Sequence, residues 1–221
     1  MRGLESARSG TLHALVTELV THVLAGLPED RRIVVGLCGP PGAGKSRAAG
    51  MLVEALGRAG IPHGLAPMDG FHLSNHRLDA LGRRSVKGAP DTFDVAGFRE
   101  LLKRVRARPD EVIHAPDFSR RLDEPVAAFH AIPPDARVVV TEGNYLLLDT
   151  GGWERIRELI DLVVFLDVPD STLTPRLVRR HRVGGRAALQ ARDRVRDVDL
   201  PNASAVAGTR GRADLVWQPV P

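Results

Sequence analysis

With a single cysteine among 221 residues, the chain cannot close an internal disulfide, and Cys38 lies in an apolar run where an inert, buried thiol is expected. Lysine is nearly as scarce. Only Lys45, Lys87 and Lys103 stand among 31 basic residues, so arginine carries almost all of the positive charge. Aromatic residues make up 4% of the chain, which leaves few platforms for stacked bases and argues against a nucleic-acid partner. No apolar run reaches the ~20 residues that a membrane-spanning helix needs, so the expectation is a cytoplasmic chain with no membrane partner.

What remains is an ordinary globular composition, 43% hydrophobic and 26% charged, long enough to bury a full core. One domain over residues 1–221 is the default, and a net charge of +4 suits an anionic ligand. The most informative segment is Gly39-Pro40-Pro41-Gly42-Ala43-Gly44-Lys45-Ser46, a complete G-x-x-x-x-G-K-[ST] phosphate-binding loop followed by Arg47. Its glycines let the backbone curl so that successive N–H groups face phosphate oxygens. Lys45 supplies a point charge to the β- and γ-phosphates, and Ser46 offers a hydroxyl to Mg²⁺. In so arginine-rich a chain, a lysine at this position is informative.

The context is that of a strand–loop–helix unit. Ile33–Cys38 enters as a buried parallel strand would, and Ala48, Met51, Leu52, Ala55 and Leu56 recur beyond the loop at helical spacing. Further apolar runs predict strands over Gly64–Met68, Val112–Ala115, Arg137–Thr141, Leu162–Leu166 and Ala213–Trp217. Helical patterns cover Val95–Ala107 and Thr172–Arg182. Their alternation predicts an α/β fold, a parallel sheet covered on both faces as a three-layer sandwich. An amphipathic helix over Thr11–Leu27, within an amino-terminal segment 1–30, is expected to pack on the sheet, with a homodimer seam as the alternative use of its apolar face.

Ligands of such folds sit at the carboxyl ends of the strands. Asp69 follows one of them, either to accept a proton from an attacking hydroxyl or bind the Mg²⁺ shell, or to cap the next segment. Glu142 follows another and is favoured for the metal, with Asp167 kept as a turn residue. The segment Arg176–Arg182 and the Gly184-Gly185 pair read as an arginine-rich lid over about 170–200, with a solvated helix face as the plain alternative.

Together these motifs resemble the P-loop kinase superfamily that contains uridine kinase, phosphoribulokinase and bacterial pantothenate kinase. The nearest branch is the small nucleoside or fructose-transport-system kinases, and the similarity runs from Arg32 to Trp217. Asp69-Gly70-Phe71-His72 is similar to the family's catalytic Asp-Gly-Phe segment, Lys87-Gly88-Ala89-Pro90-Asp91-Thr92-Phe93-Asp94 to its Lys-Gly-x-Pro stretch, and Glu142-Gly143-Asn144 to its Glu-Gly segment. Thr209–Leu215 resembles the Thr-Arg-x-Arg-Ala strand near adenine, which implicates Arg210. The resemblance implies an ATP- and Mg²⁺-dependent kinase with a small hydroxyl-bearing substrate. Asp69 would be the base, Lys45, Ser46 and Glu142 the Mg-ATP site, and Arg179 and Arg182 the lid arginines. Phe118 falls where relatives often carry tyrosine. Candidate acceptor contacts are His72, Lys87, Phe93, Arg120, Asn144 and Tyr145, and the acceptor classes in order are a sugar such as fructose, a pantothenate-like acid and a nucleoside. The rival from another class is a P-loop ATPase or GTPase switch. Neither the guanine-reading Asn-Lys-x-Asp segment nor the Ser-Gly-Gly-Gln signature of transport motors occurs in the sequence.

Overall fold

The computed structural model describes residues 7–107 and 109–220; residues 1–6 of the segment 1–30 lie outside that range. Its frame is a six-stranded parallel sheet built from β1 (Arg8–Thr11), β2 (Ile33–Cys38), β3 (His63–Leu65), β6 (Val138–Gly143), β7 (Leu162–Leu166) and β8 (Leu215–Val220). The spatial order is β1-β8-β7-β2-β6-β3, so the strand feeding the phosphate loop lies inside the sheet. Side chains alternate across it as the period of two demands. Val35, Leu37, Val140, Val164 and Leu166 face one core with α1 (Leu12–Ala25) and α2 (Lys45–Arg58). Val34, Val139, Val163 and Phe165 face the other, with α4 (Val95–Ala107) and the Trp153 region. These are the three expected layers.

The amino-terminal helix starts at Thr11, whose hydroxyl accepts from the Ala14 N–H at 3.3 Å, and buries Leu15, Val16, Leu19 and Val23 beside α2. Arg32, just before β2, is fully engaged. Its guanidinium donates to the carbonyls of Val105, Pro133, Pro134 and Ala136 at 2.8–3.1 Å, tying the end of α4 to the turn before β6.

Three elements depart from the sequence reading. The strand expected over Gly64–Met68 is only His63–Leu65; Pro67, which cannot donate to a ladder, precedes a 3-10 turn over Met68–Phe71. The segment from Val112 does form a strand, β4 (Ile113–Ser119), but it pairs antiparallel with β5 (Glu124–Ile132) as a separate hairpin. Ile113, Ala115 and Ile132 pin that hairpin into the core. At the other edge β1, with the sequence Arg-Ser-Gly-Thr, pairs with β8 without contributing an apolar run.

Candidate active site

The carboxyl end of β2 opens into the loop 39–46. Gly39 has φ 153°, and a β-carbon there would sit 2.8 Å from the Leu166 carbonyl oxygen, so neither the backbone nor the space admits another residue. Gly44, at φ 98°, caps α2 without a side chain to bond the first-turn N–H groups. Those N–H groups therefore remain directed at an anion, at the positive end of the helix dipole. Lys45 is buried, and its ammonium group donates to the Pro40 carbonyl at 3.0 Å and to Asn144 Oδ1 at 2.6 Å. Burial pulls its pKa down, while Glu142 and Asp69 favour the charged form.

In the ladder, β6 brings Glu142 opposite Leu37, beside the loop. Its Oε1 accepts from the Ser46 hydroxyl at 2.7 Å. Burial, and then the Asp69 charge, push this carboxyl up to about 7. A second acidic charge acting on a buried carboxyl favours a cation or a proton there. Asp69 sits inside the 3-10 turn, which is wedged against the β4–β5 hairpin so tightly that a β-carbon on Gly70 would lie 2.4 Å from the Pro116 carbonyl oxygen. Its carboxylate accepts no hydrogen bond from any described residue and caps nothing; Ser74 caps the following helix α3 (Asn75–Ala80) instead. Yet its charge acts on Lys45, Glu142, His72, Tyr145 and one arginine, Arg180. Asp69 is the electrostatic centre of the site.

The lid helix sets its arginines on different faces. Helix α5 (Asp170–Val183) packs Leu173 and Leu177 on the loop at Gly42. Arg176 and Arg180, one turn apart, flank this stripe on one side. Arg176 reaches the Gly42 carbonyl at 3.4 Å, and Arg180 is half-buried, with its charge coupled to those of Asp69 and Lys45. Arg179 and Arg182 are exposed and line an outer groove with Thr174, Pro175, Val178 and Val183, away from the acids. The resemblance pointed to Arg179 and Arg182; the stripe of Leu173, Leu177 and His181 was the sequence signal that sets Arg176 and Arg180 beside the packed face instead.

The remaining candidates divide. His72 lies between Phe93 and Phe118, with ring centroids at 4.1 and 4.5 Å, and burial lowers its pKa. Arg120, at the end of β4, is exposed and makes no hydrogen bond or ion pair with a described residue, while its charge acts on Glu142 and Arg180. Lys87 and Tyr145 are committed elsewhere. The Lys87 ammonium donates to Asn75 Oδ1 and the Asp123 carbonyl, both at 2.5 Å, and lies 3.4 Å from the Asp123 carboxylate, so it braces the hairpin. The buried Tyr145 hydroxyl donates to the Gly88 carbonyl at 2.5 Å, and its ring stacks edge-on with Phe93. Phe93 and Asn144 likewise serve the walls, one as packing and one as the Lys45 partner. Although aromatics are few, Phe71, Phe93, Phe98, Tyr145 and Trp153 gather in one cluster behind the site. On the opposite rim Arg210 pairs with Asp167 at 3.1 Å, and Gln218 donates to the same carboxylate, which makes Asp167 a structural partner. Arg210 itself lies in a 3-10 turn that precedes β8. Arg47 is exposed on the first turn of α2. Cys38 ends β2 beneath the loop, fully buried, its thiol pushed up to about 11 by burial and donating to the Asn144 carbonyl.

A metal fits this arrangement. Among the described residues no group of three or more His, Cys, Asp or Glu side chains could hold an ion by itself. The hydroxyl of Ser46 and the carboxylate of Glu142 form a hard-oxygen pair that phosphate oxygens and water would complete, the set Mg²⁺ prefers.

Comparison with known proteins agrees. The family model described as Phosphoribulokinase / Uridine kinase family matches residues 34–221. A protein of Schizosaccharomyces pombe provisionally named as a uridine kinase is 32% identical over 211 residues, covering 91% of this chain and 89% of its own length. The uncharacterized protein YggC of Escherichia coli strain K12 is 37% identical over 202 residues, or 88% of this chain and 82% of YggC. The crystal structure of a protein provisionally assigned as a fructose transport system kinase from Silicibacter sp. TM1040 superposes with a TM-score of 0.83 at 38% identity, over 94% of this chain and 99% of the other. A loop built for nucleotide phosphates, two acids facing it and a match along almost the whole length lead to one conclusion: the chain is a P-loop kinase belonging to the phosphoribulokinase/uridine kinase family.

Proposed function

We propose that this chain is a cytoplasmic, Mg²⁺-dependent kinase that transfers the γ-phosphoryl group of ATP to a hydroxyl of a small polyhydroxyl metabolite, a sugar such as fructose. The observation that carries the reading is the convergence of Lys45, Ser46, Glu142, Asp69 and Arg180 at the mouth of the phosphate loop. Loop N–H groups and Lys45 bind and orient the triphosphate. Ser46 and Glu142 would hold Mg²⁺, which would supply neutralising charge. Asp69 accepts the proton of the acceptor hydroxyl as its oxygen forms the bond to the γ-phosphorus and the bond to the bridging oxygen breaks. Arg180 neutralises charge on the transferring group. Such transfer is mostly positioning and electrostatics, so the cationic groups outweigh the base.

Support for a sugar comes from the Silicibacter relative, whose description names fructose transport, and from the small exposed aromatic surface beside the site. His72 and Phe118 are its partly exposed rings. A nucleoside acceptor is the second reading, favoured by the Schizosaccharomyces pombe relative. The test is ADP release from MgATP in the presence of sugars, pantothenate and nucleosides in turn. Stimulation by a sugar is the expected result, stimulation by uridine alone would move the acceptor to the second reading, and a rate indifferent to every acceptor would refute a kinase of small hydroxyl compounds.

A further inference from the structure

We infer that Asp199 is a positioning residue that holds Arg180 at the transfer site, within a segment that also grips the loop 85–88. The inference rests on the kinase reading above, with Arg180 as its lid arginine.

After α5 the chain turns at Gly184-Gly185, forms α6 (Ala188–Arg194), then a π-helical turn over Val195–Asp199, then α7 (Leu200–Ala207). π-Helical turns recur at functional sites, and this one buries Val195, Val198 and Asp199. Oδ2 of Asp199 lies 2.6 Å from Nε2 of the buried His181, and Oδ1 lies 3.5 Å from Nη2 of Arg180. The other ring nitrogen of His181 faces Nη1 of Arg186 at 2.9 Å. A guanidinium can only donate, so Nδ1 is the acceptor and the ring proton resides on Nε2, aimed at Asp199. A buried carboxylate is costly without a cation, and Arg180 fills that role.

Arg180 needs the anchor as much as Asp199 needs the charge. Arg120, Arg186 and Lys45 repel it, and Asp199, followed by Asp69, attracts it. A long arginine side chain among like charges would swing to solvent without a fixed partner. Asp199 also favours the charged form of Arg194, whose guanidinium donates to the carbonyls of Ser85 and Lys87. One turn into α7, Asn202 donates to the Gly88 carbonyl at 3.3 Å. The segment that carries Asp199 thus engages both the lid arginine and the loop 85–88.

A double-mutant cycle tests this. Asp199→Asn keeps an oxygen for the His181 N–H and removes only the charge. We expect kcat to fall ~10- to 100-fold, as for a displaced transition-state group, while KM for MgATP stays within ~threefold because ground-state binding is spared. In an Arg180→Ala background, already reduced ~10²-fold or more, the same change should cost less than ~twofold, since the two residues act as one unit. Equal losses in both backgrounds would overturn the inference and leave Arg180 in place. Wild-type turnover by Arg180→Ala would instead remove the lid reading beneath it. If Asp199→Asn melts below the assay temperature, Asp199→Glu, which keeps the charge on a longer arm, replaces it with the same expected non-additivity. Failure of both variants to fold would make Asp199 a support of the fold alone and sink the positioning role.

Discussion

Asp69 and Glu142 share one electrostatic environment but answer to different measurements. Replacement of Asp69 by asparagine keeps the shape of the 3-10 turn and removes the proton acceptor. A kcat loss of ~10²- to 10⁴-fold is expected, with MgATP still bound; near-wild-type turnover would take Asp69 out of the proton-transfer step. Glu142 is a matter of linkage. Its carboxyl moves from an ordinary value near 4.5 to about 7 in the fold. Between those values the folded chain binds more protons than the unfolded one, so this group makes the ligand-free protein less stable as pH rises through that window. Glu142→Gln should therefore melt higher than wild type at pH 8 without nucleotide, show no such gain at pH 4, and lose the stabilisation that Mg²⁺ gives. A lower melting temperature at pH 8 would contradict the burial cost assigned to this carboxylate. The motif residues Lys45 and Ser46 were readable because their chemistry is written in eight consecutive positions. That Asp69 and Glu142 share one site was legible from their places at strand ends, whereas the charge coupling between them was not, because it depends on the register of β6 and on the turn that follows β3.

At the level of elements, the lid helix separates its arginines by face. Arg180→Ala should lower kcat ~10²-fold or more, in the range of other charge-neutralising arginines. Arg179→Ala, on the outer groove, should leave it within ~threefold, as surface substitutions do. Steady-state kinetics on the pair decide it, and equal losses would restore the register first expected from sequence. The central strands were legible for a plain reason: Ile33–Cys38, Arg137–Thr141 and Leu162–Leu166 are buried on both faces and read as unbroken apolar runs. β1 was invisible because an exposed edge strand needs only backbone pairing, and β5 because its residues Glu124–Ile132 mix polar and small apolar types. Pro67 was the cue, in plain view, that the strand before Asp69 would stop early.

For the whole molecule, nucleotide binding should appear as stability. MgATP at 100 times its Kd adds about 2.7 kcal/mol, which for a chain of this size corresponds to a Tm rise of about 5–10 °C. Lys45→Ala should abolish most of that shift, and it should lower the ligand-free Tm, because the buried Glu142 loses the cation that offsets its charge. An undiminished shift would dissociate Lys45 from the triphosphate. No helix among the described residues is long and apolar enough to cross a bilayer.

The solitary thiol of Cys38, sealed under the loop and hard to ionise, has a practical consequence. Maleimide dyes act on accessible thiolates and should pass it by, so the native sequence is already a silent background for fluorescence work. A cysteine introduced at the solvent-facing Leu189 of α6 would then take a fluorophore alone. Its emission would report in real time whether the arginine-bearing helices travel when substrates arrive.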